Sequence, residues 1–148
     1  MSNHQDQTET EMKTFDVQAV ELAVPRGKAF AFIADPARLP EWTNAFASVA
    51  GRRAVMRTPN GEVTVDLEVQ ASPNQGTVDW RMTFPDGGVA TAFSRVVDLP
   101  PLHCIFSFVL TPPPVPLEQL EGTLEAQSRT LAEELTRLKG IFEHDARY

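Results

Sequence analysis

The hydrophobic pattern of this chain changes period once, and that change limits the folds open to it. From Val49 to Thr111, apolar and polar residues alternate in short runs separated by turn residues, the period of β-strands. After Pro112-Pro113-Pro114 the period becomes that of a helix, with Leu117, Leu120, Leu124, Leu131, Leu135, Leu138 and Phe142 on one stripe. Hairpins followed by one long amphipathic helix imply a single antiparallel sheet with one apolar face, covered by that helix.

The turns define the hairpins. Val49 to Thr58 reads as one strand, joined through Pro59-Asn60-Gly61 to Val63–Val69, where valine and leucine alternate with Thr64, Asp66 and Glu68. Thr77 to Phe84 and Val89 to Asp98 flank Pro85-Asp86-Gly87-Gly88, and Leu102 to Thr111 follows Pro100-Pro101. Ahead of these, Phe15 to Val24 reads as a strand whose parity changes between Val17 and Val20, the mark of a bulge. Pro25 then opens a short helix carrying Phe30 and Ile33. Asp35-Pro36 caps a second one, which Pro40 and Trp42 close. The expectation is about six strands, two short helices after the first, and a final helix of about 25 residues.

A chain of 148 residues suits one domain. Residues 1–13 offer only methionine as apolar surface and read as a disordered tail, leaving 14–148 as the domain. Thirteen basic against twenty acidic residues give a net charge of −7, which argues against nucleic acid or an anionic membrane as partner. The longest apolar run, Ala29 to Ala34, falls far short of the roughly 20 residues of a membrane span. No signal-type segment follows Met1, so a cytoplasmic location is expected. One cysteine and histidines at 4, 103 and 144 give no disulfide and no metal-ligand spacing, and no cofactor fingerprint is present.

The run Val24-Pro25-Arg26-Gly27-Lys28-Ala29-Phe30-Ala31-Phe32-Ile33-Ala34-Asp35-Pro36, then Leu39-Pro40-Glu41-Trp42, resembles the opening signature of the START and polyketide cyclase/dehydrase superfamily (SRPBCC). The ending is similar too: Phe106-Ser107-Phe108-Val109-Leu110, a proline run, and a leucine-striped helix. The resemblance covers about Phe15 to Phe142 and implies an α+β helix-grip fold, a curved antiparallel sheet around a long C-terminal helix with a cavity between them. Members of that superfamily include ligand carriers, aromatase/cyclases, quinone-binding proteins and chaperone activators. One strand fewer than the fuller members implies a smaller or more open cavity. A tryptophan at the position of Trp42 sits near the cavity mouth in that superfamily, and plugging the short helix is its other role.

The turns also set a register. Taking Pro85 to Gly88 as one loop and Pro100-Pro101 as the next places Val78, Trp80, Met82, Phe84, Phe93, Phe106 and Phe108 on the inner face, together with one charge, Arg95. These side chains are either core packing or the lining of a ligand site. Arg95 is either a cation at the cavity mouth, half of an ion pair, or the group that holds a ligand carboxylate, phenolate or enolate. Arg53 joins it if the Asn60-Gly61 turn spans three residues, and Arg52 does so if it spans two. On the helix, Gln127 and Ser128 interrupt the stripe after Leu124, through either surface drift or an amide turned toward a ligand. Cys104 falls on the inner face as a small buried residue, and His103 falls on the outer face opposite Asp98. Outer-facing Ala92, Val96, Ile105 and Val109 are available to a homodimer or a protein partner.

The leading expectation is binding of a small hydrophobic or aromatic molecule between sheet and helix, an anionic one if Arg95 is the group that holds it. A cyclase/aromatase-type enzyme is the alternative, lacking an evident acid or base. A protein-interaction module of the chaperone-activator type is the third reading.

Overall fold

The computed structural model describes residues 14–58, 61–111 and 117–145, with the side chains of 123–143 in the last stretch. The polar tail, Pro59-Asn60, the Pro112-Pro113-Pro114 corner and the side chains of Leu117 and Leu120 lie outside the described residues. The strands are β1 (Asp16–Leu22), β2 (Phe46–Ala50), β3 (Arg53–Thr58), β4 (Gly61–Ser72), β5 (Thr77–Thr83), β6 (Val89–Leu99) and β7 (His103–Leu110). They make one antiparallel sheet in the order β1-β7-β6-β5-β4-β3-β2. Helix α1 (Arg26–Ile33), a 3-10 turn (Pro36–Arg38) and helix α2 (Leu39–Trp42) stand between β1 and β2, and helix α3 (Leu117–Asp145) follows β7. This is the α+β helix-grip arrangement.

Among the described residues seven strands replace the expected six, because the segment read as one strand reverses at Gly51-Arg52. Gly51 has φ +63, a backbone state that residues with a Cβ adopt at a cost, so the chain folds back there. Ala54 and Met56 then pair with Val65 and Val63 on the inner face. The bulge lies in β2, between Phe46 and Ser48. In β1 the ladder to β7 is regular from Asp16 to Leu22, so the inner positions at its start are Asp16 and Gln18.

The largest correction concerns β6. The expected loops are each one residue too short. Phe84 belongs to the loop before β6, where its N–H donates to the Gly88 carbonyl at 2.8 Å, and Thr83 pairs with Val89. Leu102 belongs to the loop after β6, and Leu99 pairs with His103. Strands β5 and β7 keep their expected faces, but β6 is turned over. Its inner row is Ala90, Ala92, Ser94 and Val96; Phe93 and Arg95 face outward. The two loops each hold one more residue than expected, so each ladder is displaced by one position, and both displacements turn the same face of the shared strand β6 inward.

Local chemistry explains the short elements. The Asp35 side chain accepts the Ala37 N–H at 3.1 Å and Pro36 follows as the first helical residue. Trp42 at the end of α2 is buried in the core with Ile33, Leu39 and Phe106. Along α3, Leu131, Leu135, Leu138 and Phe142 join that core, and Phe142 meets Phe32 edge-on at 5.3 Å. Each such side chain, once buried, contributes about 1.5–3 kcal/mol.

Arg26 fastens the start of α1 to the sheet by donating to the carbonyls of Val96, Pro73 and Asn74. Gly76, in the β4–β5 turn below it, has φ +77, and a Cβ there would stand 2.3 Å from the Val96 carbonyl oxygen. Gly76→Ala is therefore expected to cost about 2 kcal/mol or more in urea unfolding. Gly27→Ala, in α1 with open space around it, should be neutral or stabilising by up to about 1 kcal/mol.

Candidate functional site

The inner row of β6 is small, and the rings of its neighbours lean across it. Trp80 on β5 stands beside Ala92, and Phe108 on β7 beside Ser94. The two rings stack over β6 with centroids 5.7 Å apart and planes at 25°. Phe106 meets Phe108 at 6.2 Å, and Trp42 from α2 meets Phe106 at 5.9 Å and Trp80 at 6.3 Å. Four aromatic side chains from three elements thus form one cluster on the concave face. The Ser94 hydroxyl donates to the Val78 carbonyl at 2.6 Å and is satisfied within the sheet.

Of the residues singled out from the sequence, Trp42, Val78, Trp80, Met82 and Phe106 are buried on this face, and Phe108 is half-buried. Leu124 is buried on α3 but stands apart from the main core. Phe93 is 42% exposed on the outer face, level with Val109 and beyond it Val17. Arg95 is exposed and donates to the Gln75 carbonyl at 3.1 Å, so it does not reach the concave face. Arg52 is exposed and paired with Asp66 at 3.3 Å, and Arg53 is exposed as well. Ala92 and Val96 face inward rather than outward, which leaves Ile105 and Val109 as the outer members of the expected patch.

The polar break in the helix stripe has a partner. Gln18 donates from Nε2 to the Ser128 carbonyl at 2.9 Å and to Asp16 Oδ2 at 2.7 Å, joining β1 to α3. Gln127 and Ser128 are half-buried beside this link. His103 lies on the outer side and pairs through Nδ1 with Glu21 at 2.6 Å, not with Asp98.

Glu134 is a site residue that the sequence reading missed. Its carboxylate is buried on α3 and accepts the N–H groups of Asn44 at 2.6 Å and Ala45 at 3.3 Å. Arg137, one turn's reach away, donates to the Trp42 carbonyl at 3.4 Å. Together they tie the end of α2, and with it the Trp42 ring, to α3. Burial pushes the Glu134 carboxyl above its ordinary range, against the opposing pull of the two N–H donors and Arg137. Its signal in the sequence was faint, since Glu133 and Glu134 are adjacent on a helix rich in acids. Cys104 is fully buried; burial, with Asp98 second, raises its thiol to about 11, so it remains protonated and unreactive at neutral pH.

Toward the end of the sheet nearest Leu110, the side chains that the structure describes leave the concave face incompletely covered. Phe84, Ala90, Ala92, Phe108 and Leu110 are half-buried there, as are Met56 and Val63 on the far strands. Two recesses lie elsewhere. One of about 370 Å³ sits at the opposite end between Val24, Lys28, Leu102, His103 and Phe142, and one of about 290 Å³ lies between Pro36, Arg52 and Val69. Among the described residues no group of acids, histidines and cysteine is placed to hold a metal, and no helix is long and apolar enough to cross a membrane.

This architecture is the START/polyketide cyclase-like fold. The chain is similar to the Zhui aromatase/cyclase from Streptomyces sp. R1128, with a TM-score of 0.67 at 14% identity over 92% of this chain and 96% of that one. It is also similar to a START superfamily protein from Mycobacterium smegmatis, with a TM-score of 0.65 at 14% identity over 89% and 99% of the two chains. The protein XoxI from Bacillus cereus gives a TM-score of 0.65 at 15% identity over 92% and 99%. No family model and no curated protein matches the chain.

Because the folded value of Glu134 is raised, its protonated form contributes stability that is fully present below the ordinary carboxylate range. That contribution is lost as pH rises through the elevated value. Glu134→Gln keeps an acceptor for both N–H groups and removes the charge, so it should gain stability over the natural protein as pH goes from about 4 to 7. Glu134→Leu should instead lose about 1–3 kcal/mol at every pH, having left two N–H groups unpaired. Urea melts at several pH values distinguish the two.

Proposed function

We propose that this protein binds a small hydrophobic or aromatic molecule on the concave face of its sheet, between the aromatic cluster and α3. The observation that supports this most directly is the half-buried apolar floor of Phe84, Ala90, Ala92, Phe108 and Leu110. Side chains of that type at a fold's centre are normally covered, and here they end in a face that a flat apolar molecule would cover. Similarity in fold to a START protein and to an aromatase/cyclase agrees with a ligand site at this place.

Binding ranks ahead of cyclase chemistry because of the acids. Catalysis on a bound chain needs an acid or base at the ligand. Among the described residues the two buried carboxylates, Asp16 and Glu134, are engaged by Gln18 and by backbone N–H groups. The ligand is also not selected by Arg95, which lies on the other side of the sheet. Self-association is a second reading, supported by the outer row of Val17, 54% exposed, Val109 and Phe93. It would show as a sedimentation coefficient that rises with concentration in the natural protein and not in Phe93→Lys.

Native mass spectrometry of protein purified from its own host should show a retained small molecule. Titration with the neutral fluorophore N-phenyl-1-naphthylamine should saturate. Ala90→Phe raises the half-buried floor beside Met82, away from the stacked Trp80 and Phe108 rings, and should weaken that binding about tenfold or more, with the fold kept. A natural protein that never saturates would overturn the proposal.

A further inference from the structure

The recess at the end of the sheet away from Leu110 has no part in the ligand site proposed above, and its lining is almost wholly apolar. It holds about 370 Å³, inside the roughly 300–1,000 Å³ of small-molecule sites. Three separate parts of the chain wall it: the β1–α1 corner at Ala23 to Pro25, Leu102 and His103 after β6, and Phe142 near the end of α3. Val24 and Phe142 are buried and belong to the main core, so the base of the recess is fixed. Leu102 is 64% exposed, the most exposed of the large apolar side chains described. A ligand seated against it would take apolar surface out of water without moving the core.

One cation interrupts this lining. Lys28, in the first turn of α1, faces the recess and is exposed. No acid stands in that turn, and among the described residues no carboxylate pairs with Lys28. Glu21 is engaged by His103 Nδ1 at 2.6 Å and is not part of the lining. Glu143, next to Phe142, pairs with Lys139 at 3.9 Å. These two acids are committed and Lys28 is not. In a chain with a net charge of −7, the recess is thus a place where the local charge is reversed. A single ammonium on a flexible stem matches one negative charge at one end of an apolar body.

We propose that this recess is a second ligand site, which takes small carboxylic acids with an apolar body. The ring or chain covers Val24, Leu102 and Phe142, and the carboxylate meets the Lys28 ammonium. The site does not depend on the ligand of the concave face, which lies at the other end of the sheet. An amide of the same shape would keep the apolar contacts and lose the ion pair. An ammonium would meet Lys28 with the wrong sign.

Three probes with one ring system test this: 1-naphthoate, 1-naphthamide and 1-naphthylmethylammonium. Calorimetric titration of the full chain, with N-phenyl-1-naphthylamine present to occupy the concave face, should rank them in that order. The acid should bind about three- to tenfold more tightly than the amide. Lys28→Met keeps the apolar stem and should erase that difference by weakening the acid alone. In methyl ¹³C–¹H spectra of the natural protein, naphthoate should move the resonances of Val24 and Leu102 and leave those of Ala90 and Leu110 in place. Ala23→Phe fills the recess and should remove binding of acid and amide, whereas Ala90→Phe should leave both unchanged; the methyl spectra decide the matter if Ala23→Phe fails to fold. Equal affinity for acid and amide, shifts confined to the concave face, or no binding of naphthoate would overturn the proposal. Naphthoate binding at Val24 and Leu102 in a protein that never takes up N-phenyl-1-naphthylamine would support this site and count against the concave one.

Discussion

Trp80 and Phe108 can stack across β6 only because that strand turns Ala92 and Ser94 inward. A larger residue at either position would lift the rings apart, and the contacts that follow from their meeting would go with them. Phe106 packs against the far side of Phe108, and Trp42 closes over Phe106 and Trp80. Helix α2 is four residues long and has little stability of its own, so its place depends on this junction. Glu134 and Arg137 then secure it from α3. A small strand flanked by large ones is thus the element on which the sheet, the short helices and the long helix all converge.

The distribution of charge follows from the same geometry. With β6 in its true register, Arg95 and Phe93 are outside, and the concave face is left with aromatic rings, aliphatic floor and buried acids. The lining described is apolar surface without a cation, and the overall charge of −7 makes the surroundings unfavourable to anionic molecules.

The fold was legible in the sequence because its signals were redundant. Turn residues, alternation and the leucine stripe each pointed to a sheet gripped by a helix, and an error in one left the others standing. The site was less legible because it depended on parity, which is not redundant. Strand β6 presents Phe93 and Val97 on one side and Ala90, Ala92 and Ser94 on the other. Hydrophobicity alone favours the side with phenylalanine. Size complementarity favours the other, since two ring-bearing strands leave room only for small residues between them. Positions 84 and 102 carry large apolar side chains yet belong to loops, which hid the extra residue in each turn. Glu134 was missed because its residue type reads as solvent-facing, although it stands three residues after Leu131 and four before Leu138 at the edge of the apolar stripe; the approach of the Asn44 and Ala45 amides makes a buried carboxylate tolerable there.

The strand order carries a consequence for how the chain is made. Strands β2 to β7 are a meander in which every neighbour is the next segment to be synthesised, so that much of the sheet can assemble hairpin by hairpin. Strand β1 is different: among the described strands it pairs with β7 alone. While the chain is still on the ribosome, β1 has left the exit tunnel long before β7 exists, and its inner residues Val20 and Leu22 have nothing to cover them. The cluster of Trp42, Trp80, Phe106 and Phe108 also waits for β7. Nascent chains halted before His103 should therefore recruit chaperones through β1, and release of the last strand and α3 should be the event that frees them.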